Sequence, residues 1–186
     1  SGMAASTGNL GIAYYASGLF PQALECFRRA YSLYEAAGRR QGTAVIMINI
    51  GNVLSSTGDH DQAIDYYHRA LDVCEEEGDR SSAATAILSI GEVMADTGDH
   101  AQALVYHRRA LSIFEELGDK DGVAMMYGNI VRCLLALERD EEAEVLLEQQ
   151  STMPMLRPNL QARHLDNRAI LAERRGDLDA AHDLLT

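Results

Sequence analysis

The feature that most constrains this chain is an internal sequence repeat, with a period of about 40 residues. Residues 51–78 read GNVLSSTGDHDQAIDYYHRALDVCEEEG, and residues 91–118 read GEVMADTGDHAQALVYHRRALSIFEELG. Of these 28 aligned positions, 15 are identical. A fixed period between about 20 and 50 residues is typical of repeat architectures, in which each unit buries its apolar face against its neighbours. The sequence therefore predicts an array of similar structural units.

Each repeat carries the apolar periodicity of α-helices. In residues 60–77 the apolar side chains recur at spacings of three and four residues, which places them on one face of a helix. The same spacing recurs in the preceding repeat and in the following one. We therefore predict an all-α chain, a string of about five helical hairpins. Their expected bounds are about 3–37, 40–77, 80–117, 120–150 and 157–186, in a single array over residues 1–186.

Glycines recur at fixed positions of the repeat. Gly11, Gly51 and Gly91 fall inside the first helix of each hairpin, where a glycine costs about 1 kcal/mol relative to alanine. This repeated cost predicts a close helix–helix crossing that leaves no room for a Cβ atom. Other glycines are placed to end the helices in left-handed geometry, and aspartates follow them as candidate caps. These are Gly18, Gly58, Gly98, Gly38, Gly78 and Gly118, with Asp59, Asp79, Asp99 and Asp119.

The repeat degenerates toward the C-terminus. Val131 replaces the interior glycine of the fourth hairpin, and Glu138 replaces its turn glycine. Two prolines in residues 151–159 predict that the second helix of this hairpin ends early. The fifth hairpin would have a short second helix, and short isolated helices are marginally stable. We therefore expect the array to be a fragment of a longer protein.

Composition excludes several classes of function. The formal net charge of −12 argues against a nucleic-acid binder, because phosphate contacts require a basic surface. No apolar run approaches the roughly 18 residues needed to span a bilayer. Three cysteines in helical segments are expected to be buried thiols in a reducing, cytoplasmic compartment.

The sequence also lacks the motifs that are typical of metal sites and of catalytic sites. His60 and His100 recur in turns, but neighbouring repeats separate them and no further ligand set accompanies them, so we expect solvated turn residues and no metal. No nucleophile elbow, phosphate-binding glycine loop or supported pair of carboxylates is present. The sequence therefore predicts neither a cofactor nor an enzyme.

The pattern resembles the tetratricopeptide repeat (TPR), in which Leu-Gly is followed by a large residue, Gly, Ala, an aromatic residue and Ala. The first repeat shows it as Leu10-Gly11, Tyr14, Gly18, Ala23, Phe27 and Ala30, and repeats two and three follow in register. The long period resembles the subclass of kinesin light chains, Pins-type adaptors and bacterial regulators. The resemblance implies a right-handed α-solenoid whose first helices line a concave groove that binds peptide segments.

The resemblance also implies candidate groove residues. Asn9, Asn49 and Asn129 share one repeat position, and Ser89 stands there in the third repeat. An amide both donates and accepts, so it can pair with any peptide unit. Residues about one helical turn further on could read side chains of a ligand. These are Asn52, Glu92 and Arg132, with Asp96 one turn beyond Glu92.

Two interpretations of these asparagines stay open. In the first, each one contacts a ligand; in the second, each one satisfies a neighbouring helix or loop of the array. A clamp for a terminal carboxylate would want lysine four residues before the asparagine, where Ala5, Val45 and Met125 stand, so such a ligand is not expected.

The favoured function is a protein- or peptide-binding scaffold. The alternative is a ligand-responsive sensor segment of a larger signalling or transcriptional regulator. A third hypothesis is an array that self-associates weakly.

Overall fold

A computed structural model describes residues 2–152 and 157–185, and the only regular secondary structure in these residues is α-helix, which confirms the predicted all-α class. The chain divides into two compact units, unit 1 (Ser1–Val93) and unit 2 (Met94–Thr186), and the boundary between them falls within the fifth helix. The helices are α1 (Gly2–Ala16), α2 (Phe20–Ala36), α3 (Arg40–Ser56), α4 (His60–Glu77), α5 (Arg80–Asp96), α6 (His100–Leu117), α7 (Lys120–Ala136), α8 (Asp140–Ser151), α9 (Pro158–Arg174) and α10 (Leu178–Leu185).

The turns between helices follow the glycine pattern. Gly58, for example, has φ of +84°, the left-handed region that side chains disfavour, and nothing lies within 4 Å of the place of its missing Cβ. Glu138 takes the same role in the fourth hairpin with φ of +57°. The repeat geometry therefore imposes a left-handed residue there even though the sequence supplies a glutamate.

Aspartate side chains cap the helices that follow these turns. The Asp99 carboxylate accepts a hydrogen bond from the backbone N–H of Gln102 at 3.0 Å. Asp119 accepts one from the backbone N–H of Gly122, also at 3.0 Å. Both satisfy a donor that the first turn of a helix leaves unpaired, so the predicted capping role is confirmed.

Two of the repeated interior glycines, Gly11 and Gly51, are packed against aromatic rings. A Cβ atom on Gly51 would lie 2.5 Å from Cε1 of Tyr67, and one on Gly11 would lie 2.6 Å from Cε1 of Phe27. The prediction that these positions lack room for a Cβ is confirmed. The neighbouring group is the ring of the second helix of the same hairpin, and not a backbone crossing. Phe27 and Tyr67 are 1 % and 2 % exposed, so these rings form the centre of their hairpins.

The acidic C-terminus of α4 has a tertiary partner. Negative charge opposes the dipole at this end of a helix. The Arg40 guanidinium, at the start of α3, pairs with Glu76 and lies 3.4 Å from the Glu77 carboxylate. Contact between two helices of unit 1 thus accounts for a charge pattern that is locally unfavourable.

Unit 2 contains the fourth and fifth hairpins. In the fourth, Val131 and Leu147 occupy the positions that glycine and an aromatic ring hold in unit 1, and both are buried. The helix α8 has only 12 residues, against 18 for α6. Pro154, one of the two prolines predicted to end α8, lies outside the described residues, whereas Pro158 is the first residue of α9.

The cysteines behave mostly as small apolar residues. All three are free thiols; Cys74 and Cys133 are buried, and Cys26 is half-buried. Burial raises the pKa of the Cys74 thiol to about 11, so it stays protonated and unreactive at neutral pH. Among the described helices, none is long and apolar enough to cross a bilayer.

We expect the fifth hairpin to be the least protected part of unit 2. Its second helix, α10, has eight residues and packs on α9, while the end of α9 is held to α8 by ion pairs such as Arg174–Asp140 at 3.0 Å. Exposed ion pairs contribute little stability. Amide hydrogen exchange should therefore be faster in residues 178–184 than in α7. The slowest exchange of unit 2 occurring in α10 would contradict this expectation.

Candidate binding surface

The first helices of unit 1 place one stripe of side chains beside another. On α3 the stripe has spacings of four, three and four residues, and α1 repeats it at the equivalent positions of the first repeat. We call the two stripes together the α1–α3 surface. It consists of Ala5, Asn9, Ile12 and Ala16 on α1, and of Val45, Asn49, Asn52 and Ser56 on α3.

The α1–α3 surface is accessible and carries no charged side chain. Asn9 is exposed and Asn49 is half-buried. Ile12 and Val45 are 49 % and 42 % exposed, although both are apolar. These two residues were not among the predicted ligand contacts. The sequence signal that could have identified them is their position in the repeat, because Ile12 is equivalent to Asn52 and Val45 is equivalent to Ala5.

A hydrogen bond joins the two helices at one end of this surface. The hydroxyl groups of Tyr15 and Ser56 lie 3.0 Å apart. The Tyr15 ring also packs on Phe20, with 5.8 Å between ring centroids. The α1–α3 surface is therefore held together by contacts within unit 1.

Three of the predicted site residues converge on the buried phenol of Tyr67. The Tyr67 hydroxyl donates to Oδ1 of Asn52 at 2.8 Å. Burial is the largest cause of the raised pKa of this phenol, a hydrogen bond with Ser89 opposes the rise, and the Glu92 carboxylate adds to it. Asn52 and Glu92 are half-buried, while Ser89 is only 7 % exposed. The serine of the third repeat therefore belongs to the packing of Tyr67.

The equivalent asparagine of the fourth repeat is internal. Asn129 is 1 % exposed, and its Oδ1 accepts a hydrogen bond from the Arg163 guanidinium at 2.7 Å. Asn167 of α9 donates a hydrogen bond to the carbonyl oxygen of Gly128 at 3.1 Å. These bonds fasten α9 to α7. Asn129 thus takes the internal role that was the alternative to a ligand contact, while Arg132 on the same helix is exposed.

A buried histidine adjoins this polar cluster. His107 is fully buried, and neither ring nitrogen has a hydrogen-bond partner among the described residues. Burial, followed by the positive charges of Arg132 and Arg163, lowers its pKa to about 4. It therefore stays neutral at physiological pH. The repeat register is the signal for this role, since His107 stands where Phe27 and Tyr67 stand in unit 1.

Asp96, the last of the predicted contacts, is exposed at the end of α5. Within the residues that the structure describes, no group of three or more His, Cys, Asp or Glu side chains could hold a metal ion.

Solved structures with the same fold cover most of this chain. BtubC from P. vanneervenii is 19 % identical, with a TM-score of 0.81 over 95 % of this chain and 74 % of BtubC. A protein of Podosopora anserina, described as a putative kinesin light chain with nearly identical TPR-like repeats, is 15 % identical, with a TM-score of 0.77 over 97 % of this chain and 90 % of that one. The Rap conjugation gene regulator of plasmid pLS20, solved in complex with the Phr* peptide, is 16 % identical, with a TM-score of 0.76 over 94 % of this chain and 49 % of the regulator. At these identities the likeness shows the fold alone.

Sequence models give the family directly. No curated protein sequence matches this chain. A tetratricopeptide repeat model matches residues 2–76 and 81–150, and a second tetratricopeptide repeat model matches residues 162–185. These matches cover well over half of the chain and include every hairpin of the array. The chain therefore belongs to the tetratricopeptide repeat family.

Proposed function

We propose that this chain is a binding scaffold and that the α1–α3 surface binds an extended peptide segment of a partner protein. The observation that carries the proposal is an exposed stripe that combines apolar side chains with amides. Ile12 and Val45 remain exposed although burial would stabilise the fold, and Asn9 and Asn49 stand beside them in the same register. A surface of this composition can cover apolar side chains of a ligand and pair with its backbone.

The chemistry of the surface indicates the kind of peptide. The α1–α3 surface has no charge of its own, so affinity would come from apolar contact and from hydrogen bonds to peptide units. Amides read the backbone without regard to sequence, while Ile12 and Val45 favour apolar side chains. A largely uncharged peptide with small or medium apolar residues fits best.

Support also comes from the fold. The Rap regulator is solved in complex with a peptide, and it shares the fold over nearly the whole of this chain. That likeness makes peptide binding a reasonable property to test in this chain, whereas the residues that bind must come from its own surface. The same regulator motivates the alternative hypothesis of a sensor segment, which would require an effector domain elsewhere in the parent protein.

The test starts from peptides selected from a random peptide library on the intact chain. We expect the double variant Asn9→Ala, Asn49→Ala to weaken selected peptides of unrelated sequence by similar factors. Two hydrogen bonds at about 0.5–1.5 kcal/mol each correspond to roughly five- to 150-fold in affinity. Fluorescence anisotropy with labelled peptides measures the affinity, and thermal unfolding of the same samples measures stability.

Two control variants separate binding from folding. Gln22→Ala removes an exposed amide from the second helix α2 and should leave affinity unchanged. Asn129→Ala should instead lower the melting temperature, because it leaves the Arg163 guanidinium without its acceptor. If the Asn9 and Asn49 variant binds selected peptides as tightly as the wild type does, the α1–α3 surface is not the binding site.

A further inference from the structure

A second candidate site lies in unit 2, where α9 packs on α7. The side chain of Arg163, on α9, passes over Gly128 of α7, where a Cβ atom would lie 3.1 Å from Cδ of Arg163. Its guanidinium donates a hydrogen bond to Oδ1 of Asn129 at 2.7 Å. The glycine thus leaves room for the stem of Arg163, and the next residue of α7 holds its charged end.

The amide of Asn129 is oriented toward this guanidinium. A guanidinium only donates hydrogen bonds, so the amide oxygen of Asn129 must face Arg163. The amide nitrogen Nδ2 is buried and has no hydrogen-bond partner among the described residues. One polar atom of Asn129 therefore stays unpaired while the other positions Arg163. This contact uses only part of the guanidinium, which carries five N–H donors.

A second guanidinium belongs to the next turn of α7. Arg132 follows Asn129 by three residues, and side chains at this spacing are neighbours on the surface of a helix. Arg132 is exposed and Arg163 is half-buried, so solvent reaches both side chains. Both positive charges also act on the same buried group, because each of them lowers the pKa of His107. We call Arg132 and Arg163 the arginine pair.

The arginine pair differs from other arginines of unit 2 in its partners. Several of those arginines form ion pairs with carboxylates, namely Arg139 with Glu142, Arg157 with Asp121, Arg174 with Asp140 and Arg175 with Glu144. In the described part of the chain, neither Arg132 nor Arg163 pairs with a carboxylate, although the chain has 28 acidic residues against 16 basic ones. Two positive charges thus share one surface without an anion between them.

We propose that the arginine pair binds a carboxylate group of a partner polypeptide. The planar guanidinium groups match the two oxygens of a carboxylate, and such charge-assisted hydrogen bonds are stronger than neutral ones. A bound carboxylate also relieves the repulsion between the two like charges. Its single charge suits this chain, because a net charge of −12 opposes an anion in proportion to the charge of that anion.

The carboxylate can come from an acidic side chain or from a chain terminus. The sequence argued against a terminal carboxylate in the repeats that carry Asn9, Asn49 and Asn129, so the two sources are tested separately. The arginine pair lies in unit 2 and is argued independently of the α1–α3 surface.

Small probes with and without a carboxylate test this chemistry on the intact chain. The α-amide of N-acetyl-L-aspartic acid carries a side-chain carboxylate, N-acetyl-L-alanine carries a terminal one, and N-acetyl-L-asparaginamide is the neutral analogue of the first. We expect saturable shifts in the NMR signals of the Nε–H groups of Arg132 and Arg163 with a carboxylate probe. Dissociation constants should be on the order of millimolar for so small a ligand. The neutral probe should give no saturable shift, and the tighter of the two carboxylate probes identifies the source.

A charge-matched pair of variants decides whether the shifts come from the arginine pair. Arg132→Gln removes an exposed side chain and should weaken the carboxylate probe at least about fivefold. Arg168→Gln is the control, because Arg168 is an exposed arginine of α9 that lines a different cavity with residues of α8. It changes the net charge of the chain by the same amount, and it should leave the affinity within about twofold because distant surface charges are screened.

The positioning role of Asn129 has its own variant. Asn129→Asp keeps an acceptor for Arg163 and neutralises its guanidinium from inside the chain. This variant should weaken the carboxylate probe at least about fivefold, while thermal unfolding shows no loss of stability. If Asn129 served only to fasten α9 to α7, the same variant would bind the probe as the wild type does.

The outcomes are distinguishable even if Asn129→Asp folds poorly, because Arg132 is exposed and its replacement leaves the core intact. The proposal is overturned if neither carboxylate probe gives a saturable shift, or if the neutral probe binds as tightly. It is equally overturned if Arg132→Gln binds the probe as tightly as Arg168→Gln does. Binding of a carboxylate that Arg132→Gln weakens and Arg168→Gln preserves supports it. Either result leaves the α1–α3 surface untested, because that surface consists of unit 1 residues alone.

Discussion

Replacing Gly51 by valine is expected to lower the free energy of unfolding by about 3 kcal/mol, the upper part of the range for overpacking. A Cβ atom at this position would stand 2.5 Å from Cε1 of Tyr67, closer than real contacts allow. Tyr67 is 2 % exposed, and its hydroxyl is bonded to Asn52, so the ring cannot move without losing packing and a hydrogen bond. Overpacking of a tight core costs roughly 1–3 kcal/mol or more, and chemical denaturation of the variant measures the loss.

A double-mutant cycle gives this prediction its control. The fourth hairpin holds Val131 and Leu147 at the two equivalent positions, and both are buried. The pair Gly51→Val and Tyr67→Leu therefore reproduces a combination that the chain already uses. Each single variant should be destabilised, and the double variant should be at least about 1 kcal/mol more stable than the sum of the single effects predicts. Strictly additive effects would show that the ring is not what excludes a side chain at Gly51.

The same two positions show what the sequence could and could not predict. A glycine repeated inside helices, against its propensity, indicated that a Cβ atom has no room there. It did not indicate which group takes the room, because a backbone and an aromatic ring exclude a side chain equally well. The ring follows only from the structure, where Phe27 and Tyr67 lie over Gly11 and Gly51.

Local signals were sufficient for the helices and their ends. Apolar spacing, glycines and capping aspartates act within a few residues of the chain, and each repeat restates them. Glu138 supports the same conclusion, since the repeat register predicts a turn at this position although the residue is a glutamate and not a glycine. Its φ of +57° is the geometry that glycine has in the other hairpins.

The candidate site was less predictable because the roles of its polar groups depend on hydrogen-bond partners that are distant in sequence. Asn129 looked equivalent to Asn9 and Asn49, yet it is bonded to Arg163 of α9. The fifth hairpin departs from the period of the other repeats, so no register places Arg163 opposite Asn129. Asn9 of α1, by contrast, is exposed. Equivalent positions in a repeat therefore differ in role according to what packs on them.

Replacing His107 by phenylalanine is expected to stabilise the protein and to flatten its loss of stability in acid. The imidazole is fully buried, and both of its nitrogens lack a hydrogen-bond partner among the described residues. A buried polar group left unpaired costs about 1–3 kcal/mol. Phenylalanine is the residue that the first repeat uses at this position, as Phe27, so a ring of this size suits the register. At pH 7 the variant should be more stable by an amount in that range.

The acid dependence follows from the lowered pKa of His107. The folded state holds this pKa at about 4, while the unfolded chain has an ordinary histidine value of about 6.5. Between pH 4 and pH 6.5 the unfolded state binds a proton at this histidine that the folded state does not. The free energy of unfolding is therefore highest above about pH 6.5 and decreases as the pH falls toward 4. A shift of this size corresponds to roughly 2–4 kcal/mol.

Comparison of the wild type with the His107→Phe variant isolates the contribution of His107 to the loss of stability in acid. The pKa of His164 is also lowered, by burial and by Arg168. His164 and the carboxylates are present in both proteins, so their effects cancel in the difference between the two free energies of unfolding. Denaturation between pH 7 and pH 4 should show that the wild type loses about 2–4 kcal/mol more than His107→Phe does. An NMR titration of the His107 ring supplies the direct check. If the ring titrates near pH 6.5 in the folded protein, its burial costs no acid stability, and the two proteins should lose stability in parallel.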